Sequence, residues 1–198
     1  MRDYNLSYTI IFSLIIILPL SLITGPFLSD LSISLCGLVF LVNSLFYKKK
    51  NILFHPLIII FNIWCIYLIL LSIFSDNMLL SFESSLFFFR FGFFSLSIFF
   101  ILSFNYKVLK YFFLLSLIML FIILFDSIIQ INNGFNTIGY KYTPFRVSSF
   151  FGDELILGSY LSRIAIINFM IIFIFFKDNK NYKFIFYISF LISFIITL

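Results

Sequence analysis

Tyr111-Phe-Phe-Leu-Leu-Ser-Leu-Ile-Met-Leu-Phe-Ile-Ile-Leu-Phe-Asp-Ser-Ile-Ile129 is a run of 19 residues with one charged side chain, Asp126. At about 1.5 Å per residue, a helix of this length approaches the roughly 30 Å hydrocarbon core of a membrane. Further apolar runs cover residues 8–24, 31–46, 57–74, 84–103, 154–176 and the stretch from 184 onward. We therefore predict an all-α, polytopic transmembrane helix bundle with about seven spans, forming a single transmembrane domain over residues 1–198.

The composition excludes a soluble domain. Hydrophobic residues make up 63% of the chain and charged residues 11%, whereas soluble domains carry about 25% charged residues. The lysines lie in short turns between apolar runs rather than on one basic face, so no nucleic-acid partner is expected. The chain has a single His, and its two Cys fall inside apolar runs without metal-ligand spacing. We expect no metal site and no cofactor.

The placement of the basic residues predicts the orientation in the membrane. Threading the predicted spans in turn puts most of them on one side: Arg2, Lys48, Lys49, Lys50, Lys107, Lys110, Lys177, Lys180 and Lys183. In the loops of the other side, only Lys141 and Arg146 are basic. Because cytoplasmic loops are enriched in Lys and Arg, we predict a cytoplasmic N-terminus and an outward-facing loop at 130–152.

Basic side chains on the outer side form the predicted anion-binding site, which consists of Arg90, Lys141, Arg146 and Arg163. Arg90 and Arg163 lie within spans, where a charge costs from about 3 to over 10 kcal/mol and therefore usually has a function and a partner. Arginine suits phosphate because its planar guanidinium binds two oxygens at once and keeps its charge. Tyr140, Tyr142 and Phe145 alternate with the loop cations, a mixture that stacks on sugars or lies among lipid headgroups.

Acidic residues near the same side are candidate counter-ions or structural groups: Glu83, Asp126, Asp153 and Glu154. Asp126 is the predicted partner of Arg90 or Arg163. One interpretation is a structural Arg–Asp pair; the other is a water-accessible cavity in which the arginines receive an anion. Glu83, seven residues before Arg90, shares its helical face and would bracket that cavity. Asp153 and Glu154 begin a span, where acids cap free N–H groups; a catalytic role is the alternative.

The final apolar run begins at Phe184 and stops at Leu198 without a flanking charge. Fifteen residues extend only about 22 Å as a helix, which is less than the roughly 30 Å hydrocarbon core. We therefore expect the sequence to be the front portion of a longer protein, truncated inside a helix.

The stretch Arg146-Val-Ser-Ser-Phe-Phe-Gly-Asp-Glu-Leu-Ile-Leu-Gly-Ser-Tyr-Leu-Ser-Arg163 resembles the central segment of the O-antigen ligase and O-antigen polymerase superfamily. In that segment a periplasmic arginine precedes small residues, an aromatic residue, and a helix start with Gly and Tyr-Leu. The stretch Glu83-Ser-Ser-Leu-Phe-Phe-Phe-Arg90 is similar to the helix before it. The rest of the chain matches only as hydrophobic helices.

This resemblance implies a metal-independent glycosyltransferase of the bacterial inner membrane, acting in lipopolysaccharide biosynthesis. Such enzymes transfer a glycan from an undecaprenyl-diphosphate-linked donor to an acceptor lipid or glycan on the periplasmic face. Arg146 matches an arginine that contacts the diphosphate, with Arg90 and Arg163 as further matches. The family's catalytic His lies in a later periplasmic loop, so we expect the general base beyond Leu198 and no activity from this portion alone.

Two other functions remain open at this point. One is a multi-span transporter or flippase for an anionic or lipid-linked substrate, with Arg90, Asp126 and Arg163 in an intramembrane pathway. The other is a structural membrane subunit in which the arginines only bind acids.

Overall fold

The computed structural model consists almost entirely of α-helices and describes residues 2–46, 56–143, 146–152, 156–175 and 180–197. The helices are α1 (Arg2–Ser21), α2 (Pro26–Phe46), α3 (Pro56–Ser72), α4 (Met78–Phe87), α5 (Phe89–Phe104), α6 (Lys107–Asn133), α7 (Leu157–Phe175) and α8 (Lys180–Thr197). A short 3₁₀ helix, Ser149–Phe151, precedes α7. The described residues form isolated backbone bridges but no β-strand, which confirms the predicted all-α class.

Several helical segments are long and apolar enough to cross a membrane. Within the described residues there are four of them: Pro26–Leu45, Met78–Phe104, Lys107–Asn133 and Leu157–Phe175. Two further apolar helices, Leu6–Ser21 and Pro56–Ser72, are shorter. By the length and composition of its helices this is a membrane protein. The seven spans and the cytoplasmic N-terminus stay predictions, and the basic residues at 48–50 and 177 lie outside the described residues.

The chain divides into two compact units, and each is discontinuous in sequence. The first unit contains Met1–Ile15 and Asp30–Tyr106, and the second contains Ile16–Ser29 and Lys107–Leu198. The single transmembrane domain expected from the sequence stays a prediction.

In the first unit, α3 packs against α4 and α5 through aromatic side chains and close backbone contacts. A Cβ added at Gly92 of α5 would lie only 2.7 Å from Cδ1 of Phe61 in α3, so this contact requires glycine. The rings of Phe61 and Phe88 stack with centroids 6.2 Å apart. The sequence predicted one helix over 84–103, and the apolar helical segment Met78–Phe104 contains it. At Phe88 the backbone stays in the right-handed helical region (φ −65°, ψ −27°), and a 3.3 Å hydrogen bond from its N–H to the Ser85 carbonyl marks one tightened turn between α4 and α5.

The core of the second unit lies between α6, α7 and α8. It contains Phe113, Leu117, Leu120 and Ile123 of α6, Leu157, Leu161 and Ile164 of α7, and Phe186 of α8. A polar contact crosses this core, where the Ser116 hydroxyl donates to Oδ1 of Asn168 at 2.7 Å. The Tyr160 hydroxyl of α7 donates to the Pro19 carbonyl at 3.0 Å, which ties the end of α1 into the same unit.

Candidate functional site

The segment 134–152, which we call the 134–152 loop, begins where α6 ends and has a defined irregular structure. The Tyr142 N–H donates to the Gly134 carbonyl at 2.8 Å, and the Asn136 N–H donates to the Tyr140 carbonyl at 2.9 Å. Inside this turn, Oδ1 of Asn136 accepts the N–H groups of residues 138, 139 and 140 at 2.7–3.1 Å. One buried amide side chain therefore organises the whole turn.

Asp126 fixes the loop to α6. Its Oδ1 accepts the Thr137 N–H at 3.0 Å and the Thr137 hydroxyl at 2.5 Å. Its Oδ2 accepts the Ser149 hydroxyl at 2.6 Å and Nδ2 of Asn136 at 3.3 Å. The carboxyl group is only 1% exposed and is held by four donors, all from the loop. Asp126 was the predicted counter-ion of an arginine; in the structure its carboxylate instead accepts hydrogen bonds from the loop.

Gln130, one helical turn after Asp126, holds the other side of the loop. Its Oε1 accepts the N–H groups of Ser148 and Ser149 at 3.2 and 2.8 Å. Its Nε2 donates to Oγ of Ser148 at 3.1 Å and to the Tyr140 carbonyl at 3.3 Å. The sequence predicted a loop from residue 130, but α6 continues to Asn133. Residues spaced four apart lie on one helical face, so both side chains reach the same loop.

Ser149 has an unusual backbone conformation that these contacts enforce. Its φ is 49°, in the left-handed region that non-glycine residues rarely occupy. Its N–H is bound by Gln130, its hydroxyl by Asp126, and its carbonyl by Nδ2 of Asn136 at 2.7 Å. A left-handed L-residue costs roughly 1–2 kcal/mol. Three side chains that are themselves buried therefore stabilise one strained loop residue.

The predicted cations Lys141 and Arg146 are carried by this loop and are exposed. The Lys141 carbonyl accepts a hydrogen bond from Gln130 at 3.4 Å. The Arg146 N–H donates to the Thr143 carbonyl at 3.0 Å, and the Thr143 hydroxyl donates to the Arg146 carbonyl at 2.9 Å. Among the described residues, no carboxylate forms an ion pair with either cation. Within the described residues the loop thus presents two positive charges without an ion-pair partner; the neighbouring acids Asp153 and Glu154 lie outside those residues.

Aromatic residues lie near these cations in the sequence. Tyr140 is partly exposed and its ring lies against Gly152, where an added Cβ would approach Cε1 of the ring to 3.1 Å. Gly152 has a φ of 62°, a second reason for glycine there. Phe151 packs on Tyr160 of α7 with ring centroids 5.4 Å apart, which closes the base of the loop. Phe145 lies outside the described residues.

Arg90 has a different partner from the one predicted. Nη2 of Arg90 lies 2.9 Å from Oδ2 of Asp30, and the two side chains are 28% and 44% exposed. The guanidinium carbon also lies 5.0 Å from the ring centroid of Phe91. Asp126 was predicted as the partner of Arg90 or Arg163; within the first unit, Asp30 is the ion-pair partner of Arg90. No periodicity in the sequence relates two residues that are 60 positions apart.

The structure describes two of the four remaining predicted site residues. Arg163 is exposed on α7 and Glu83 is exposed on α4, and neither has an ion-pair partner in the described part of the chain. Asp153 and Glu154 lie outside the described residues. Glu83 and Arg90 lie on one apolar helical segment with a tightened turn at Phe88 between them, and the helical face expected to join them stays a prediction.

The chemistry available at the loop is anion binding. Comparisons with protein families, curated proteins and solved structures returned no match. Within the described residues, no group of three His, Cys, Asp or Glu side chains could hold a metal ion. Residues 134–152 contain Lys141 and Arg146 but no acid. The loop therefore offers two exposed cations with aromatic residues near them in the sequence, a composition suited to a phosphate group linked to a sugar or a lipid.

Sequence reasoning missed the residues that build this site. Gln130, Asn136 and Ser149 provide most of the bonds that hold the loop, yet each is an uncharged polar residue of an ordinary type. One signal was present in the sequence. Asp126 and Gln130 are four residues apart at the end of an apolar span and therefore lie on one helical face. Two polar side chains on one face of an apolar helix indicate that another segment of the chain binds there.

Proposed function

We propose that this chain forms part of a bacterial inner-membrane glycosyltransferase of the O-antigen ligase and polymerase type. In this proposal the enzyme transfers a glycan from undecaprenyl diphosphate to an acceptor lipid or glycan on the periplasmic face. Arg146 and Lys141 bind the diphosphate of the donor. The observation that carries the proposal is the pair of exposed cations, without an ion-pair partner among the described residues, on a loop that Asp126 and Gln130 hold.

Rigidity of the loop supports a role in transfer as well as in binding. When the glycan leaves, negative charge develops on the diphosphate, and fixed cations stabilise that charge without having to reorganise. Arginine can bind two phosphate oxygens at once, whereas lysine acts as a point charge. Resemblance of residues 146–163 to the central segment of that superfamily points to the same role for Arg146. The acceptor hydroxyl needs a general base, and we expect it outside this sequence.

A transport function has less support. The predicted pathway used Arg90, Asp126 and Arg163 as groups free to bind a moving substrate. The Asp126 carboxylate is bound by four loop donors, and Arg90 is paired with Asp30. Releasing either group for transport would first break these contacts.

Replacing Arg146 tests the proposal. We expect Arg146→Ala to lower glycan transfer about 100-fold, the typical effect of removing one donor that stabilises transition-state charge. Arg146→Lys keeps the charge but loses the bidentate geometry, so we expect an intermediate rate. Transfer is measured as the amount of glycosylated acceptor formed by membranes carrying equal amounts of the full-length protein with each substitution.

The matched control is Lys110→Ala, which removes an exposed cation from the opposite end of α6 and should leave transfer unchanged. A wild-type rate for Arg146→Ala at equal membrane abundance would contradict the proposal. An equal loss for Lys110→Ala would mean that total charge, rather than the loop, determines the rate.

A further inference from the structure

The length of α6 sets the depth of the 134–152 loop. The helix has 27 residues and is therefore about 40 Å long, whereas the hydrocarbon core is about 30 Å thick. Lys107 and Lys110 in its first turn belong at the membrane surface. The roughly twenty residues that cross the hydrocarbon then run from about Tyr111 to about Gln130. The end of α6 projects beyond the hydrocarbon by only a few residues.

The loop does not rise from the end of α6 but folds back along it. It contacts Gln130, at the hydrocarbon boundary, and Asp126, which lies about 6 Å deeper by helical rise. Thr137 and Ser149, near the two ends of the loop, both bind Asp126. Irregular backbone is thereby placed at a level where water is scarce.

Protein side chains form hydrogen bonds with the polar backbone groups of the loop, as a position at membrane depth requires. Irregular backbone at membrane depth is tolerated only where protein groups bind its N–H and C=O groups. Asp126, Gln130 and Asn136 provide these partners, and they are 1%, 0% and 2% exposed. A loop surrounded by water could form the same bonds with solvent and would not need three buried polar side chains.

The outer surface of the loop is apolar near its start. Phe135 and Ile138 are 54% and 64% exposed, although no segment of the described chain covers them. Ile128 and Ile131 in the last turns of α6 are exposed and apolar as well, and the exposed polar residues Asn132 and Asn133 lie between them and Phe135 in the sequence. An exposed apolar surface near the end of a membrane span is suited to lipid.

We propose that the 134–152 loop is a re-entrant element that lies in the boundary between headgroups and acyl chains where α6 ends. Phe135 and Ile138 insert among the lipid chains, and Lys141 and Arg146 reach the level of the headgroup phosphates. This inference depends on α6 crossing a membrane and does not depend on glycan transfer.

Tryptophan fluorescence in reconstituted vesicles tests the depth of the loop. The chain has a single Trp, so Trp64→Phe provides a background without fluorescence from tryptophan. Phe135→Trp and Ile138→Trp are then introduced one at a time into the full chain. Vesicles contain phospholipid brominated at carbons 6 and 7, near the headgroups, or at carbons 11 and 12, deeper in the bilayer. Acrylamide serves as the quencher in water.

Two references calibrate the measurement. Phe121→Trp places the probe at an exposed position in the middle of α6, and N-acetyltryptophanamide added to the same vesicles reports full exposure to water. We expect both loop probes to be quenched more by the shallow bromines than by the deep ones. Both should also be at least threefold less sensitive to acrylamide than N-acetyltryptophanamide. The Phe121→Trp probe should show the opposite preference between the two brominated lipids.

The proposal requires both loop probes to lie in lipid. Acrylamide quenching equal to that of N-acetyltryptophanamide at either position would overturn it, as would the absence of quenching by brominated lipid. If a Trp probe unfolds the loop, hydrogen exchange over residues 134–152 will rise in that variant. The variant is then replaced by one that carries Leu at this position and Trp at the other loop position. An inactive Arg146→Ala variant with lipid-inserted probes would support both proposals, whereas an active one with the same probes would contradict the proposed function alone.

Discussion

Replacing Asp126 by Ala should release the 134–152 loop from α6. The carboxylate accepts four hydrogen bonds, two from hydroxyl groups that can rotate toward other acceptors. Nδ2 of Asn136 is buried and would lose one of its two acceptors, keeping the Ser149 carbonyl, whereas the N–H of the exposed Thr137 can turn to water. A stranded buried donor costs about 1–3 kcal/mol, so we expect a loss of about 2 kcal/mol.

Hydrogen exchange of the backbone measures this loss directly. A cost of about 2 kcal/mol raises the population of the open loop about 30-fold, since each 1.36 kcal/mol is a factor of ten. In mass spectrometry of the peptide covering residues 134–152, exchange at Thr137, Ser148 and Ser149 should accelerate by that factor or reach the unprotected rate. Exchange in the middle of α6 should stay slow.

Two variants of the same helix sharpen the test. Asp126→Asn keeps one oxygen for Thr137 but turns an amide donor toward Asn136, so we expect an intermediate loss of about 1 kcal/mol. Ser127→Ala removes a hydroxyl that donates only to the Ile123 carbonyl within α6, and loop exchange should change less than tenfold. If Asp126→Ala leaves loop exchange unchanged, the carboxylate does not hold the loop and the reasoning is refuted.

Two further substitutions probe backbone strain and packing. Ser149→Gly and Ser149→Ala both lose the bond to Asp126, but only glycine relieves the left-handed backbone; the alanine variant should be less stable by about 1 kcal/mol, measured as the difference in loop exchange. Equal exchange in the two variants would show that φ at this position carries no strain. Gly92→Ala places a Cβ against the Phe61 ring and should lower the free energy of unfolding by about 1–3 kcal/mol, measured by denaturant titration. If the double variant Gly92→Ala with Phe61→Leu regains stability, the clash with the ring is the cause.

The helices themselves were largely predictable because their signal is local. A run such as 111–129 specifies a membrane helix through its own length and apolarity, and α6 contains all of it. Its ends were less predictable. The polarity of Gln130 suggested the start of a loop. Gln130 instead belongs to α6, and its side chain both accepts and donates hydrogen bonds that hold the loop.

The partners of charged side chains could not be predicted from the same signal. Asp126 and Arg90 are both charged residues within apolar spans, which made an ion pair between them a natural hypothesis. Asp30 binds Arg90 across 60 positions of sequence, and neutral donors of a nearby loop satisfy Asp126. Pairing of this kind is set by helix packing, about which one sequence carries little information.

The bond between Tyr160 and Pro19 has a consequence for synthesis of the chain. The two residues are separated by 141 positions, yet they lie in the same compact unit. A ribosome that adds about 5–20 residues per second needs about 7 to 30 s to make the intervening chain. During that interval the end of α1 leaves the exit tunnel without its final neighbour. The end of α1 therefore lacks its partner Tyr160 until α7 has been synthesised.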